Sequence, residues 1–203
     1  MTIERGRPWG ERVASPEHLH VVPTDRDARN WVVAQRSTDC VVKPVGLGGG
    51  DLARTLGGGH PGRFPGEVTK ATVDILRVEA DGRTTWAVAH VIARRSWWRG
   101  ELLFAMNAQF CGAYDVAPRS HPNDGKADFL QVSPAMSSRA RYQARARART
   151  GTHVPHPQLA VTQSAGRSLV FERPLVLWVD GVRWGTARAL TITVEPDSLL
   201  VYA

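Results

Sequence analysis

The sequence predicts a mainly β protein of the α+β kind. Three observations carry that expectation. From Val68 onward, short runs rich in Val, Ile, Leu, Thr, Phe and Trp recur between Gly, Pro and Asp turns, which is the texture of strands. Asp81-Gly82 joins two such runs, and this dipeptide suits a hairpin turn that demands positive φ. Within that β-rich region a single stretch reads as a helix, AMSSRARYQARARART, closed by Gly151. With 203 residues of which 42% are hydrophobic, the chain can build one real core.

Taken in order, residues 1–24 carry Pro8, Pro16 and Pro23 among charged and small residues, and read as an irregular or extended arm. Residues 25–66 read as a short α/β segment. There DRDARNWVVAQRS places Ala28, Trp31, Val32 and Gln35 at helical spacing behind Asp25 or Asp27 as a cap. CVVKPV follows as a strand, and GLGGGDLARTLGGGHPG then sets Gly46, Gly48, Gly49 and Gly50 before a short helix, Asp51 to Leu56. A strand, Gly-rich loop and helix in this order can turn backbone N–H groups toward an anion. Residues 67–203 form the β body, in which QLAVTQ, SLVFE, PLVLWVDG, ARALTITVE and LLVYA read as separate strands of a sandwich or barrel-like fold.

The formal net charge of +7 favours polyanions: nucleic acid, anionic lipid headgroups or phosphorylated small molecules. Cys40 and Cys111 are far apart and lack C-x-x-C spacing, which argues against a disulfide framework and a structural zinc site. The start shows no apolar run of a signal peptide, and no window is long and apolar enough for a membrane-spanning helix. A cytoplasmic protein, soluble or peripheral on a membrane, is expected.

Several stretches admit a functional and a structural reading. Arg141, Arg145 and Arg149 recur at i, i+4, i+8 on the Arg-rich helix, either a phosphate-binding stripe or a solvated face. No aromatic platform or nucleic-acid motif surrounds them, so nucleic acid is not the expected partner. RRSWWRG, with Trp97, Trp98 and Arg99, suits contact with lipid headgroups or ordinary strand-end packing. GTHVPHP offers His153 and His156, half a metal site at most or an ordered loop. RSHPNDGKADFL has strong turn chemistry and also the oxygens of Asn123, Asp124 and Asp128 for a hard cation such as Mg²⁺. In WVDGVRWG, Asp180 marks a hairpin corner and could act as a general base toward a hydroxyl.

The order of these stretches is more specific than any one of them. NAQFCGAYDVAPRSHPNDGKADFL, a basic helix, GTHVPHP and LWVDGVRWG together resemble the carboxy-terminal domain of the diacylglycerol kinase and bacterial lipid kinase family, over about two thirds of the chain. Upstream, VKPVGLGGGDLARTLG looks like the family segment P-x-G-T-x-N-D-F-A-R-x-L. The resemblance implies a two-layer β-sandwich that phosphorylates or binds a lipid. It implies Asp180 as the residue taking the proton from a lipid hydroxyl. Asp124, with Asn123 and Asp128, would lie at a structural Mg²⁺ site. Gly48, Gly49, Gly50, Asp51 and Arg54 would be what remains of a cofactor-binding interdomain segment, while Trp97, Trp98, Arg99, Arg141, Arg145, Arg149, His153 and His156 would meet lipid or another anion.

The sequence also departs from that pattern. It has no Gly-Gly-Asp-Gly-Thr motif, and only about sixty residues precede the sandwich. Gly50 stands where the family has Asn, Val182 where it has Glu, and Asn123 where it has its first turn carboxylate. ATP is therefore expected only where another chain, a second copy or a separate nucleotide-binding subunit, completes its site. The alternative is a non-catalytic module binding a lipid or an anionic small molecule.

Overall fold

Apolar residues on alternate positions send the two faces of each strand to different cores. A computed structural model describes residues 10–38 and 41–203, so the first nine residues of the expected arm and Cys40 lie outside the described residues. In chain order come β1 (Glu11–Ala14), β2 (Val21–Val22), α1 (Asp25–Arg36), β3 (Val45–Leu47), α2 (Asp51–Thr55), β4 (Glu67–Ala80), β5 (Arg83–Ala87), β6 (His90–Arg94) and β7 (Leu102–Met106). A small hairpin, β8 (Phe110–Cys111) and β9 (Tyr114–Asp115), precedes β10 (Ala127–Val132), α3 (Ser138–Arg147), β11 (Leu159–Ser164), β12 (Gly166–Val179) and β13 (Val182–Tyr202).

Hydrogen bonding runs continuously through β1-β4-β13-β12-β6-β7-β10-β11, with β5 beside β4 and β3 joining β13 to β2. The pairings along the main path are antiparallel, whereas β3 runs parallel to both β13 and β2. The fold is thus mainly β, a large antiparallel sheet with three helices, of β-sandwich type.

Three cores result. Between the layers, Leu76, Val78, Val91, Leu103, Phe129, Leu177 and Ile192 pack together. The other face of β6, β7 and β10 sends Ile92, Phe104 and Leu130 against Met136 and Trp97 on the α3 side. At the far ends of β4 and β13, Val73, Ile75, Leu199 and Val201 pack with Ala28, Val32, Val45 and Leu52. The α/β segment therefore shares a core with the sheet. β7, Leu-Leu-Phe-Ala-Met, is buried on both faces, which explains a continuous apolar run where a half-exposed strand would alternate.

Asp81-Gly82 and Asp180-Gly181 both make two-residue hairpins, with φ of 51° and 74° in the first and 46° and 78° in the second. Positive φ at both positions is what a type I′ turn requires. The Arg-rich helix is capped by Ser137 and ends at Gly151 with φ 68°.

Elsewhere the structure departs from expectation. The arm is partly sheet, since β1 pairs with β4 and β2 with β3. Thr24, not Asp25 or Asp27, caps α1: its hydroxyl accepts the Asp27 N–H. The strand read at CVVKPV starts only at Val45, because Val45 and Leu47 are buried while Val41 is exposed. SLVFE and PLVLWVDG form one strand, as do ARALTITVE and LLVYA. Pro174 and Pro196 fall within register shifts, where a missing N–H removes no ladder bond, so proline does not end the strand.

Candidate functional site

The Asp180 hairpin corner, the starts of α1, α2 and β6, and the β8–β9 hairpin meet at one end of the sheet. Asp180 is buried, and its carboxylate accepts the backbone N–H groups of Val88, Ala89 and His90, each at 2.9 Å. Burial, and next the Asp25 charge, push its pKa up to about 7, while the three N–H donors work in the opposite direction. Asp25 in turn accepts the N–H of Asp51 at 2.6 Å and of Leu52 at 3.1 Å. Burial raises Asp25 to about 6, with a smaller push from Asp51. Asp51 accepts the N–H of Gly112 at 2.9 Å. Each carboxylate thereby pins a different loop. The guanidinium of Arg29, bonded to Trp86 O and Thr85 Oγ1, supplies positive charge near Asp180.

Two side chains that the sequence did not single out complete the cluster. Buried His90 has Nδ1 3.9 Å from Asp51 Oδ2, and its Nε2 lies 3.7 Å from Cys111 Sγ. Burial lowers the His90 pKa, and burial followed by the charges of Asp51 and Asp25 pushes the Cys111 thiol up to about 12. No sequence spacing links these residues; only the topology brings them together.

Much of the N–H capacity at the Gly-rich loop is spent within the fold. The N–H groups of Asp51 and Leu52 at the start of α2 are taken by Asp25, and the Gly48 N–H donates to Val22 O at 2.9 Å. A Cβ at Gly49 would lie 2.6 Å from Pro23 O, and one at Gly50 would lie 2.5 Å from Asp25 Oδ1. Gly50 also has φ 102°. The loop is Gly-rich because it packs against residues 22–25. Arg54 is engaged as well, donating to Gly112 O at 3.0 Å and lying 3.8 Å over the Phe110 ring.

Between α3 and the outer face of β7 and β10 lies an apolar cavity of about 250 Å³, walled by Trp97, Leu102, Phe104, Leu130 and Met136. Cys111 and Gly112 belong to the same wall, so the cavity borders the carboxylate cluster. The Arg stripe divides here. Arg141 is buried, donates to the carbonyls of Met136, Gly100 and Ser133, and also lines the cavity, with Nη1 left without a hydrogen-bond partner. Arg145 remains at the cavity, 2.7 Å from Tyr114 OH and stacked near the rings of Tyr114, Trp97 and Trp98. Arg149 lies 5.9 Å from the Tyr114 ring. Trp98 is 40% exposed and Arg99 is exposed beside it, while Trp97 is half-buried beneath Arg94.

The two histidines of GTHVPHP do not converge. Buried His153 faces the apolar cavity, and burial lowers its pKa. His156 lines a separate groove of about 1060 Å³ with Arg119 and Asp128, its Nδ1 accepting the Gln158 N–H.

At the D-G-x-x-D turn, a residue missed in the sequence does the ordering. Asp74, buried within β4, accepts the N–H of Gly125 at 2.8 Å and of Asp197 at 2.9 Å. Its signal was a carboxylate inside the apolar run TVDIL. Asn123 donates to Thr72 O and to Asp197 Oδ1, leaving its buried Oδ1 with no hydrogen-bond partner. Asp124 accepts the Lys126 N–H at 3.0 Å, and Asp128 is buried with side-chain partners in Gln163 and Ser120. Among the described residues, Asp124 and Asp128 belong to no trio of His, Cys, Asp or Glu ligand atoms lying within 4.8 Å of one another. Of the three expected oxygen donors, Asn123 Oδ1 is the one buried without a hydrogen-bond partner.

No model of a known protein family matches the sequence, and no curated protein sequence matches it. Solved structures do match. A candidate diacylglycerol kinase from Bacillus anthracis str. Sterne superposes at a TM-score of 0.59 with 10% identity, covering 83% of this chain and 74% of that one. The chain resembles diacylglycerol kinases in fold. A further diacylglycerol kinase structure from the same organism gives a TM-score of 0.54 with 12% identity, over 79% of this chain and 66% of that one. Identities this low bear on architecture alone. Among the described residues, no helix is long and apolar enough to cross a membrane.

Proposed function

We propose that this protein is lipid kinase-like, taking the apolar part of a lipid into the cavity beside α3 and holding its polar end near Asp51 and Asp180. One observation carries this reading: the apolar cavity has Arg145 and Trp98 on its lining and borders a carboxylate cluster through Cys111 and Gly112. Arg145, Arg149 and Arg99 would attract headgroup phosphate, and Trp98 would sit at the membrane interface. The setting is the cytoplasm, with peripheral contact to an anionic membrane.

In the catalytic form of this reading, a lipid hydroxyl oxygen bonds to the γ-phosphorus of ATP as the bond to the bridging oxygen breaks. ADP leaves, and the hydroxyl proton passes to Asp180. Such transfer depends on positioning and charge stabilisation, so ATP and its Mg²⁺ require a nucleotide site completed by a second copy or another chain. A second reading is a binding module without transfer. It is favoured by Asp180, whose buried oxygens already accept three backbone N–H groups.

Incubation with radiolabelled ATP, Mg²⁺ and a mixed lipid extract tests the first reading, with co-sedimentation on anionic and neutral vesicles in parallel. Label transfer that disappears in Asp180→Asn at a temperature where the variant remains folded supports the kinase. Selective sedimentation with anionic vesicles and no transfer excludes transfer by this chain and its own oligomers and favours the binding module. Neither transfer nor sedimentation overturns both.

A further inference from the structure

We propose that Asp51, His90 and Cys111 form a site for a divalent transition metal, Zn²⁺ by the chemistry of the donors, with an open coordination position toward the apolar cavity. The inference stands apart from the lipid reading. It begins with convergence: taking one ligand atom from each side chain, all lie within 4.8 Å of one another. His90 Nδ1 and Asp51 Oδ2 are 3.9 Å apart, and Cys111 Sγ and His90 Nε2 are 3.7 Å apart. A tetrahedral zinc ion with ordinary bond lengths holds its donors about 3.3–3.6 Å apart. The two distances from His90 involve different ring nitrogens, so closing the site takes a turn of the His90 ring that brings one nitrogen to the ion and side-chain movements of up to about an ångström.

The donor set is selective. Mg²⁺ and Ca²⁺ favour oxygen, whereas a thiolate, an imidazole and a carboxylate together suit zinc. His90 also lacks what a structural histidine normally has, since the residue is 5% exposed and Nδ1 is buried with no hydrogen-bond partner.

Charge and support point the same way. Asp25 and Asp51 are adjacent, with Asp180 behind them, and Arg29 spends its hydrogen bonds on Thr85 and Trp86. A dication would offset this crowding of carboxylates. The Gly112 N–H orients the Asp51 carboxylate, the kind of outer contact that positions a metal ligand. Three protein ligands leave the fourth zinc position for water or a ligand, and Cys111 lies on the cavity wall where such a molecule would enter.

The test is titration of the full-length protein with Co²⁺ as a spectroscopic stand-in, followed by Zn²⁺. The expected result is one equivalent bound, with a thiolate-to-cobalt charge-transfer band that Zn²⁺ abolishes by displacement. Cys111→Ser should remove the band, and His90→Gln should weaken metal affinity at least about tenfold. Cys40→Ser should leave the band in place. A wild-type protein that shows no thiolate band overturns the proposal, as does a band that survives Cys111→Ser. The wild-type titration decides the matter even where a variant fails to fold, and neither result depends on lipid binding or phosphoryl transfer.

Discussion

The Asp74 and Asp180 ends of the sheet use the same device and leave different things over. At each, a buried carboxylate gathers backbone N–H groups from segments distant in sequence: two for Asp74, three for Asp180. Around Asp74 nearly everything is spent on the fold, since Asn123 is anchored to β4 and Asp197, and Asp128 has side-chain partners. Around Asp180 the loops are pinned equally well, yet Asp51, His90 and Cys111 remain facing one another beside an apolar cavity. A buried acid by itself therefore marks architecture. Donors left over beside a cavity mark the place where chemistry can be added.

The sharpest way to break this comparison is to remove each carboxylate. Asp180→Ala orphans three buried N–H groups and should cost about 3–5 kcal/mol in urea unfolding, with Asp180→Asn, which keeps an acceptor, clearly milder. Asp74→Ala orphans two and should cost about 2–3 kcal/mol while vesicle binding by the folded protein stays unchanged. Equal losses at the two sites would mean that counting orphaned donors does not rank them.

The pH dependence follows in size. Asp180 at about 7, and Asp25 and Asp74 at about 6, all lie above the ordinary carboxylate value. A raised acid contributes stability that is complete below its unfolded pKa, near 4, and is lost as pH rises through the folded value. The urea midpoint should thus fall between pH 5 and pH 8, and Asp180→Asn should flatten the slope. Burial lowers His90 and His153, which works in the opposite direction, so the decisive comparison is with the variant: an Asp180→Asn slope no flatter than the wild type would contradict Asp180 as net unfavourable when ionised.

Smaller effects belong to the exposed groups. Arg145→Ala should weaken binding to anionic vesicles about fivefold, corresponding to roughly 1 kcal/mol per surface cation, with little change in stability. Arg141→Ala should do the reverse, because its guanidinium holds three carbonyls together. Asp124→Ala should move the melting temperature least, by about 1 °C in magnesium and less in chelator. Equal shifts in both would remove a cation from that turn.

Local chemistry was legible in the sequence. The Asp-Gly hairpins and α3 could be read because turn dihedrals and helix caps are set by neighbouring residues. Less visible were continuities and convergences. Pro174 and Pro196 looked like strand ends because sequence does not show where a bulge lies. Arg141, Arg145 and Arg149 share a helical face by spacing, yet only packing decides that the first turns inward. The Gly-rich loop advertised N–H groups for an anion, and nothing local could reveal that Asp25 is that anion. Asp51, His90 and Cys111 come from separate elements, so their meeting is a property of the sheet order.

β13 ties the sheet together in a way that bears on synthesis. It pairs with β3, β4 and β12, and it lies in the core beneath both helices of the α/β segment. During translation, a nascent chain halted before residue 182 would display β4 with the edge meant for β13 bare and its apolar side chains wetted. Stable tertiary structure must then await the emergence of β13 from the ribosome. Ribosomes stalled ahead of it should yield polypeptide that proteases digest readily.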